Sequence, residues 1–125
     1  MGEIVLVEDD DDIRAITAQM LRRAGHTVVE APDGAAGLQA VLTRVPHLVV
    51  SDIDMPVMSG LDLCRVLRSD PRTASLPVLL VSGSLLPGDR RPFDAQASAI
   101  LVKPFRRGEL IDRVEELLRD RPSTS

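Results

Sequence analysis

The sequence predicts an α/β fold, a five-stranded parallel sheet with helices on both faces. Two observations carry this. Short apolar runs of strand length occur five times, at Ile4–Val7, Thr27–Glu30, Leu48–Val50, Pro77–Val81 and Ala99–Val102, and helical patterning or room for a helix follows each. Several of these runs are apolar at nearly every position, as strands covered on both faces require. Such alternation implies parallel strands joined by crossover helices.

Taken in order, Ile4–Val7 is a buried strand that ends in Glu8-Asp9-Asp10-Asp11-Asp12. A helix follows, its apolar positions being Ile13, Ile16, Met20, Leu21 and Ala24, with Asp11 or Asp12 available as N-cap and Gly25 as the stop. Thr27–Glu30 is the second strand, closed by Pro32-Asp33-Gly34. The second helix runs from about Ala35 to Arg44 with the stripe Leu38, Val41 and Leu42. The third strand stops at Ser51-Asp52, and Pro56 forbids its continuation as a central strand. After Gly60 a third helix turns Leu61, Cys64 and Leu67 inward and ends before Pro71. The fourth strand, Pro77–Val81, stops at Ser82-Gly83-Ser84. Pro87, Gly88 and Pro92 then oppose a helix, leaving room for at most a short one between Phe93 and Ser98. Ala99–Val102 ends at Lys103-Pro104-Phe105, and the last helix, roughly Arg107–Arg119, presents Leu110, Ile111, Val114, Leu117 and Leu118.

The 125 residues suit one domain over 1–120, with 121–125 a tail or the start of a linker. A net charge of -4 argues against nucleic acid as a direct partner. No apolar run reaches the length of a membrane span, no signal-peptide pattern opens the chain, and the single Cys64 suits a reducing cytoplasm, where it serves as a core filler. With two Phe and neither Trp nor Tyr, the core must be aliphatic.

The chemistry gathers at the strand ends. The first strand ends in Glu8-Asp9, the third in Asp52, the fourth in Ser82 and the fifth in Lys103. In a parallel sheet these ends share one edge, where ligand crevices form. Carboxylates within ~4 Å repel by roughly 4 kcal/mol per pair at an effective dielectric near 20, so a cation must compensate. Hard oxygen donors suit Mg²⁺, Lys103 adds a fixed positive charge, and a hydroxyl beside them describes a cradle for a phosphoryl group. Singly, each residue has a structural explanation: Asp52 and Ser82 as turn residues, Asp10, Asp11 and Asp12 as a solvated helix start. Four complementary strand ends together are harder to explain by structural need.

The segments Ile4-Val5-Leu6-Val7-Glu8-Asp9-Asp10, Leu48-Val49-Val50-Ser51-Asp52-Ile53-Asp54-Met55-Pro56 with Gly60, Pro77-Val78-Leu79-Leu80-Val81-Ser82-Gly83 and Lys103-Pro104-Phe105 resemble the receiver domain of two-component response regulators. The resemblance covers Glu3 to about Arg119. It implies the flavodoxin-like strand order 2-1-3-4-5. It also implies a switch rather than a conventional enzyme. Asp52 would take a phosphoryl group from a histidine kinase or histidine phosphotransfer protein. Glu8, Asp9, Asp52 and the backbone carbonyl of Asp54 would hold Mg²⁺. Lys103, Ser82 and the N–H of Gly83 would contact phosphoryl oxygens, and the Lys103–Pro104 peptide would be cis.

Further expectations follow from the resemblance. The Asp54 side chain would lie near the path of a hydrolytic water. Arg14, Ala15, Ala18, Pro104 and Phe105 would dock the phosphodonor, a downstream effector would read the signal, and a homodimer is allowed. Ile100 stands where the family often has an aromatic that couples to the hydroxyl of the fourth strand. Two alternatives stay beside this reading. Asp52-Ile53-Asp54 also resembles the nucleophile motif of haloacid-dehalogenase-type phosphatases, although there the nucleophile strand comes first and the acidic pair last. A receiver-like module that binds a partner without being phosphorylated is the other.

Overall fold

In a computed structural model, which describes residues 2–119, the chain forms β1 (Glu3–Val7), α1 (Asp11–Arg23), β2 (Thr27–Ala31), α2 (Gly34–Thr43), β3 (Leu48–Asp52), α3 (Gly60–Ser69), β4 (Val78–Ser82), α4 (Arg91–Asp94), β5 (Ala99–Val102) and α5 (Arg107–Arg119). All neighbouring strands pair in parallel, in the order β2-β1-β3-β4-β5. The expected tail over 121–125 lies outside the described residues.

The two central strands nearest the site, β3 and β4, bury every residue, which accounts for their continuous apolar patterning. Side chains alternate across the sheet. Val5, Val7, Val49, Val78 and Leu80 meet Val41 of α2 and Leu61, Leu63 and Leu67 of α3. Ile4, Leu6, Leu48, Val50, Leu79, Val81 and Leu101 meet Ala18 and Leu21 of α1 and Leu110 and Val114 of α5. Each such buried aliphatic side chain contributes about 1.5–3 kcal/mol of transfer free energy before chain entropy is counted. Gly37 lets α2 lie close on β1, since a Cβ there would stand 2.6 Å from Val7 Cγ2.

Several local expectations are corrected. The N-cap of α1 is Asp10, whose carboxylate accepts the N–H groups of Asp12 and Ile13, so the helix starts one residue earlier than an Asp11 cap allows. The inward face of α1 is Ala18 and Leu21, while Ile13 and Ile16 are exposed, because their 3.6-residue phase points off the sheet. The fourth helix is a single turn and begins at Arg91 rather than Phe93; Pro92 falls in its first turn, where a missing N–H costs nothing. Of the residues expected to be buried by α5, Leu110 and Val114 are buried, whereas Ile111, Leu117 and Leu118 pack only in part. Cys64 is a buried core residue whose thiol donates to the Ala95 carbonyl. The core is aliphatic, with Phe93 71% exposed.

Candidate functional site

The site is built by strand register. Val7 pairs with Ser51, so Glu8 and Asp52 are the next residues along neighbouring strands. Asp52 in turn pairs with Val81, and Ser82 with Val102, which puts Lys103 one step beyond. The Lys103 N–H donates to the Ser82 carbonyl at 2.9 Å, extending the sheet to the rim. Alternation places Glu8, Asp52 and Lys103 on the side of Leu6, Val50 and Leu101. Ser82 follows Leu80 onto the other side.

On the first side the charges converge. Lys103 Nζ lies 3.3 Å from Glu8 Oε1 and 3.6 Å from Asp52 Oδ2. Glu8 and Asp52 are buried, and burial pushes both carboxyls above the ordinary carboxylate range. The Asp10 N–H on Glu8 and the Lys103 ammonium beside Asp52 oppose this without cancelling it. Burial alone would lower the Lys103 ammonium, but Asp52 and Glu8 outweigh it and hold the group above its usual value. The Lys103–Pro104 peptide is cis.

These residues fit a divalent cation. One carboxylate oxygen from each of Glu8, Asp9 and Asp52 lies within 4.8 Å of the others. Ligands about 2.1 Å from Mg²⁺ stand roughly 3–4 Å apart, so the set needs only a slight contraction. Asp52 Oδ1 is buried and has no hydrogen-bond partner among the described residues, an acceptor that an ion or a donor group would satisfy.

Two structural residues fix the rim. Arg14 of α1 donates from Nη1 to the Glu8 carbonyl and from Nη2 to Asp11 Oδ1, tying down the loop that carries the acids. Gly60 brings the start of α3 against the end of β3: its N–H donates to the Ile53 carbonyl, and a Cβ there would stand 2.9 Å from the Asp52 carbonyl carbon. Gly83 has no such constraint, because its Cβ would meet Lys103 Cβ at an ordinary 3.7 Å.

A second cluster stands beside the first. Ser82 Oγ donates to Asp54 Oδ2 at 2.9 Å, Ser84 Oγ reaches both Asp54 oxygens at 3.0 Å, and the Ser84 N–H donates to Ser82 Oγ. The sequence places Ser82 and Asp54 at one rim but gives no sign that they bond each other, that Ser84 joins them, or that Arg14 ties down the end of β1. No periodicity reports a contact between two loops. Of the expected docking residues, Ala18 is corrected: it is wholly buried on the inward face of α1, while Ala15 is exposed and Arg14 is mostly enclosed. Ile100 is 38% exposed on the edge strand, close to Val102.

The family model of the response regulator receiver domain matches residues 4–115. The chain is 37% identical over 98% of its length to the transcriptional regulatory protein PrrA of Mycobacterium tuberculosis, covering 52% of that protein. It is 35% identical over 95% of its length to the DNA-binding dual master transcriptional regulator RpaA of Synechocystis, covering 50% of it. The chain thus spans about half the length of the curated relatives it matches. Among solved structures, the receiver domain of a sensor histidine kinase of Pseudomonas aeruginosa, which holds a magnesium ion in its active-site cleft, superposes with a TM-score of 0.88 at 27% identity, over 95% of this chain and 98% of that one.

Proposed function

The chain belongs to the response regulator receiver domain family of two-component signalling, and from that premise we propose that Asp52 is its phosphoacceptor. The observation that carries this reading is the state of the Asp52 carboxylate. It is buried at the sheet rim, with one oxygen facing Lys103 and the other without a partner among the described residues. A carboxylate kept from water in this way is a preorganised nucleophile, and Lys103 stands where charge would develop on a transferring phosphoryl group.

Glu8, Asp9, Asp52 and the carbonyl of Asp54 would hold Mg²⁺, which when bound neutralises the acids and the transferring oxygens. The donor is a phosphohistidine of a histidine kinase or phosphotransfer protein: an Asp52 oxygen bonds phosphorus as the phosphorus–nitrogen bond breaks. Arg14 holds the acidic loop in place. Exposed Ile13, Ala15 and Ile16, with Phe105, form the face for that donor. Phe93, Ile100 and Val102 form an exposed apolar face on α4 and β5 for the downstream partner, a second copy included. No helix among the described residues is long and apolar enough to cross a membrane, and we place the domain in the cytoplasm with its donor.

Incubation with acetyl phosphate and Mg²⁺, followed by intact mass, tests the reading. The expected result is a gain of one phosphoryl group that Asp52→Asn abolishes. Repeated turnover of a phosphomonoester would instead make the protein a hydrolase, and no mass gain would make it a non-phosphorylated binding module.

A further inference from the structure

We propose that Asp54 is a positioning residue that latches the Ser82 hydroxyl away from the acceptor site, and that a phosphoryl group on Asp52 must take that hydroxyl from it. The inference rests on the acceptor role of Asp52 proposed above. A serine hydroxyl has one proton to donate. In this structure that proton goes to Asp54 Oδ2 at 2.9 Å. The Ser84 N–H fills one acceptor site of Ser82 Oγ at 3.0 Å, and Ser84 Oγ, whose own single proton faces Asp54 at 3.0 Å, lies 3.2 Å away. Ser82 is wholly buried, so no bulk water competes for its proton. The hydroxyl is therefore committed, and its acceptor is a charged group, the stronger kind of partner.

The same contacts decide what release does. Asp54 lies on the β3–α3 loop and Ser84 on the β4–α4 loop, so the three side chains tie the two loops together across the rim. Transfer of the Ser82 proton exchanges one hydrogen bond for another: the bond to Asp54 breaks and one to a phosphoryl oxygen forms. Asp54 is exposed, so water takes over its freed carboxylate oxygen at little cost. The exchange loosens the tie between the loops, and binding of an acceptor-site anion is weakened by the free energy needed to open the latch.

Beryllofluoride with Mg²⁺, a non-covalent stand-in for the phosphoryl group, tests this by isothermal titration. Asp54→Ala is expected to bind it roughly fivefold to tenfold more tightly than the wild type, the effect of removing one charge-assisted competitor. Removing a negative charge near an anion would also tighten binding, so the decisive measurement is the cycle with Ser82→Ala. In the Ser82→Ala background the latch predicts that Asp54→Ala changes affinity less than about twofold, and Ser84→Ala alone should tighten binding in the same direction by less. Equal tightening in both backgrounds, or none in either, overturns the latch. Failure of the wild type to bind beryllofluoride with Mg²⁺ overturns the acceptor reading and the latch with it, whereas wild-type binding that is indifferent to Asp54→Ala overturns the latch alone. Thermal melts of each variant separate these effects from loss of fold.

Discussion

The guanidinium of Arg14 donates to the backbone carbonyl of Glu8 at 2.8 Å, reaching from the first turn of α1 back to the end of β1. Its other nitrogens engage Asp11 at 2.7 Å and approach Glu30 of β2 at 3.6 Å, so one planar group links the end of β1 to the start of α1 and to β2. Glu8 and Asp9, which we propose as Mg²⁺ ligands, flank that carbonyl. Arg14→Ala should weaken Mg²⁺ binding about tenfold, as loss of an outer-sphere support does, and lower stability by about 1 kcal/mol. Arg14→Lys should recover stability better than affinity, because a lysine lacks the fork. Titration calorimetry beside urea denaturation checks both, and an unchanged Mg²⁺ affinity in Arg14→Ala would remove the role assigned to this residue.

Glu8 and Asp52 are destabilising in the metal-free protein. Burial raises both carboxyls above their unfolded values, so the folded state binds more protons between the ordinary carboxylate range and the raised values. Stability of the metal-free protein therefore falls as pH rises from the ordinary carboxylate range through the raised values. Asp52→Asn should stabilise the metal-free protein at pH 7 by about 1 kcal/mol and flatten this part of the pH profile. It should also gain less from added Mg²⁺ than the wild type. Denaturation midpoints with and without Mg²⁺ decide it; a metal-free Asp52→Asn protein that is less stable than the wild type would contradict the account.

His26 gives the opposite sign. It is buried, its Nδ1 accepts the Gly2 N–H at 3.1 Å, and its Nε2 has no partner among the described residues. Burial lowers its pKa, with Glu115 pulling weakly the other way. The unfolded chain then binds the extra proton first, so the contribution is fully present above the ordinary histidine value. It is lost as pH falls from there toward the lowered one. His26→Asn, which keeps an acceptor for Gly2 but cannot be protonated, should lose less stability than the wild type between about pH 7 and 5. Parallel pH slopes for the two proteins would show that His26 does not titrate on unfolding.

Val57 sits at φ 68° in the loop after β3 with its side chain fully in solvent. A β-branched residue in the left-handed region costs about 1–2 kcal/mol, and no packing offsets it here. Val57→Gly should stabilise the domain by up to about 1 kcal/mol, the relief of strain being partly offset by a freer unfolded chain. Val57→Asn should gain a similar amount. A fall in melting temperature for both variants would mean that the loop conformation has a support not visible in its contacts.

The alternation of elements, the parallel sheet and the identity of the acids, hydroxyl and amine at its rim are all legible in the amino-acid order. These are local properties. A buried strand must be apolar along its length, a helix must repeat near 3.6 residues, and a strand that ends in Asp52 or Lys103 carries that group to the sheet edge wherever the chain crosses. Which of those groups bond one another is set by the folded arrangement. Glu8, Asp52 and Lys103 meet because register places them side by side on one face, while Ser82, one residue out of phase, turns to Asp54 and Ser84. Likewise the inward phase of α1, with Ala18 buried and Ile16 exposed, was set by docking against the sheet rather than by hydrophobicity alone. Contacts between loops and the rotation of a helix depend on distances across the fold, and no one-dimensional pattern encodes them.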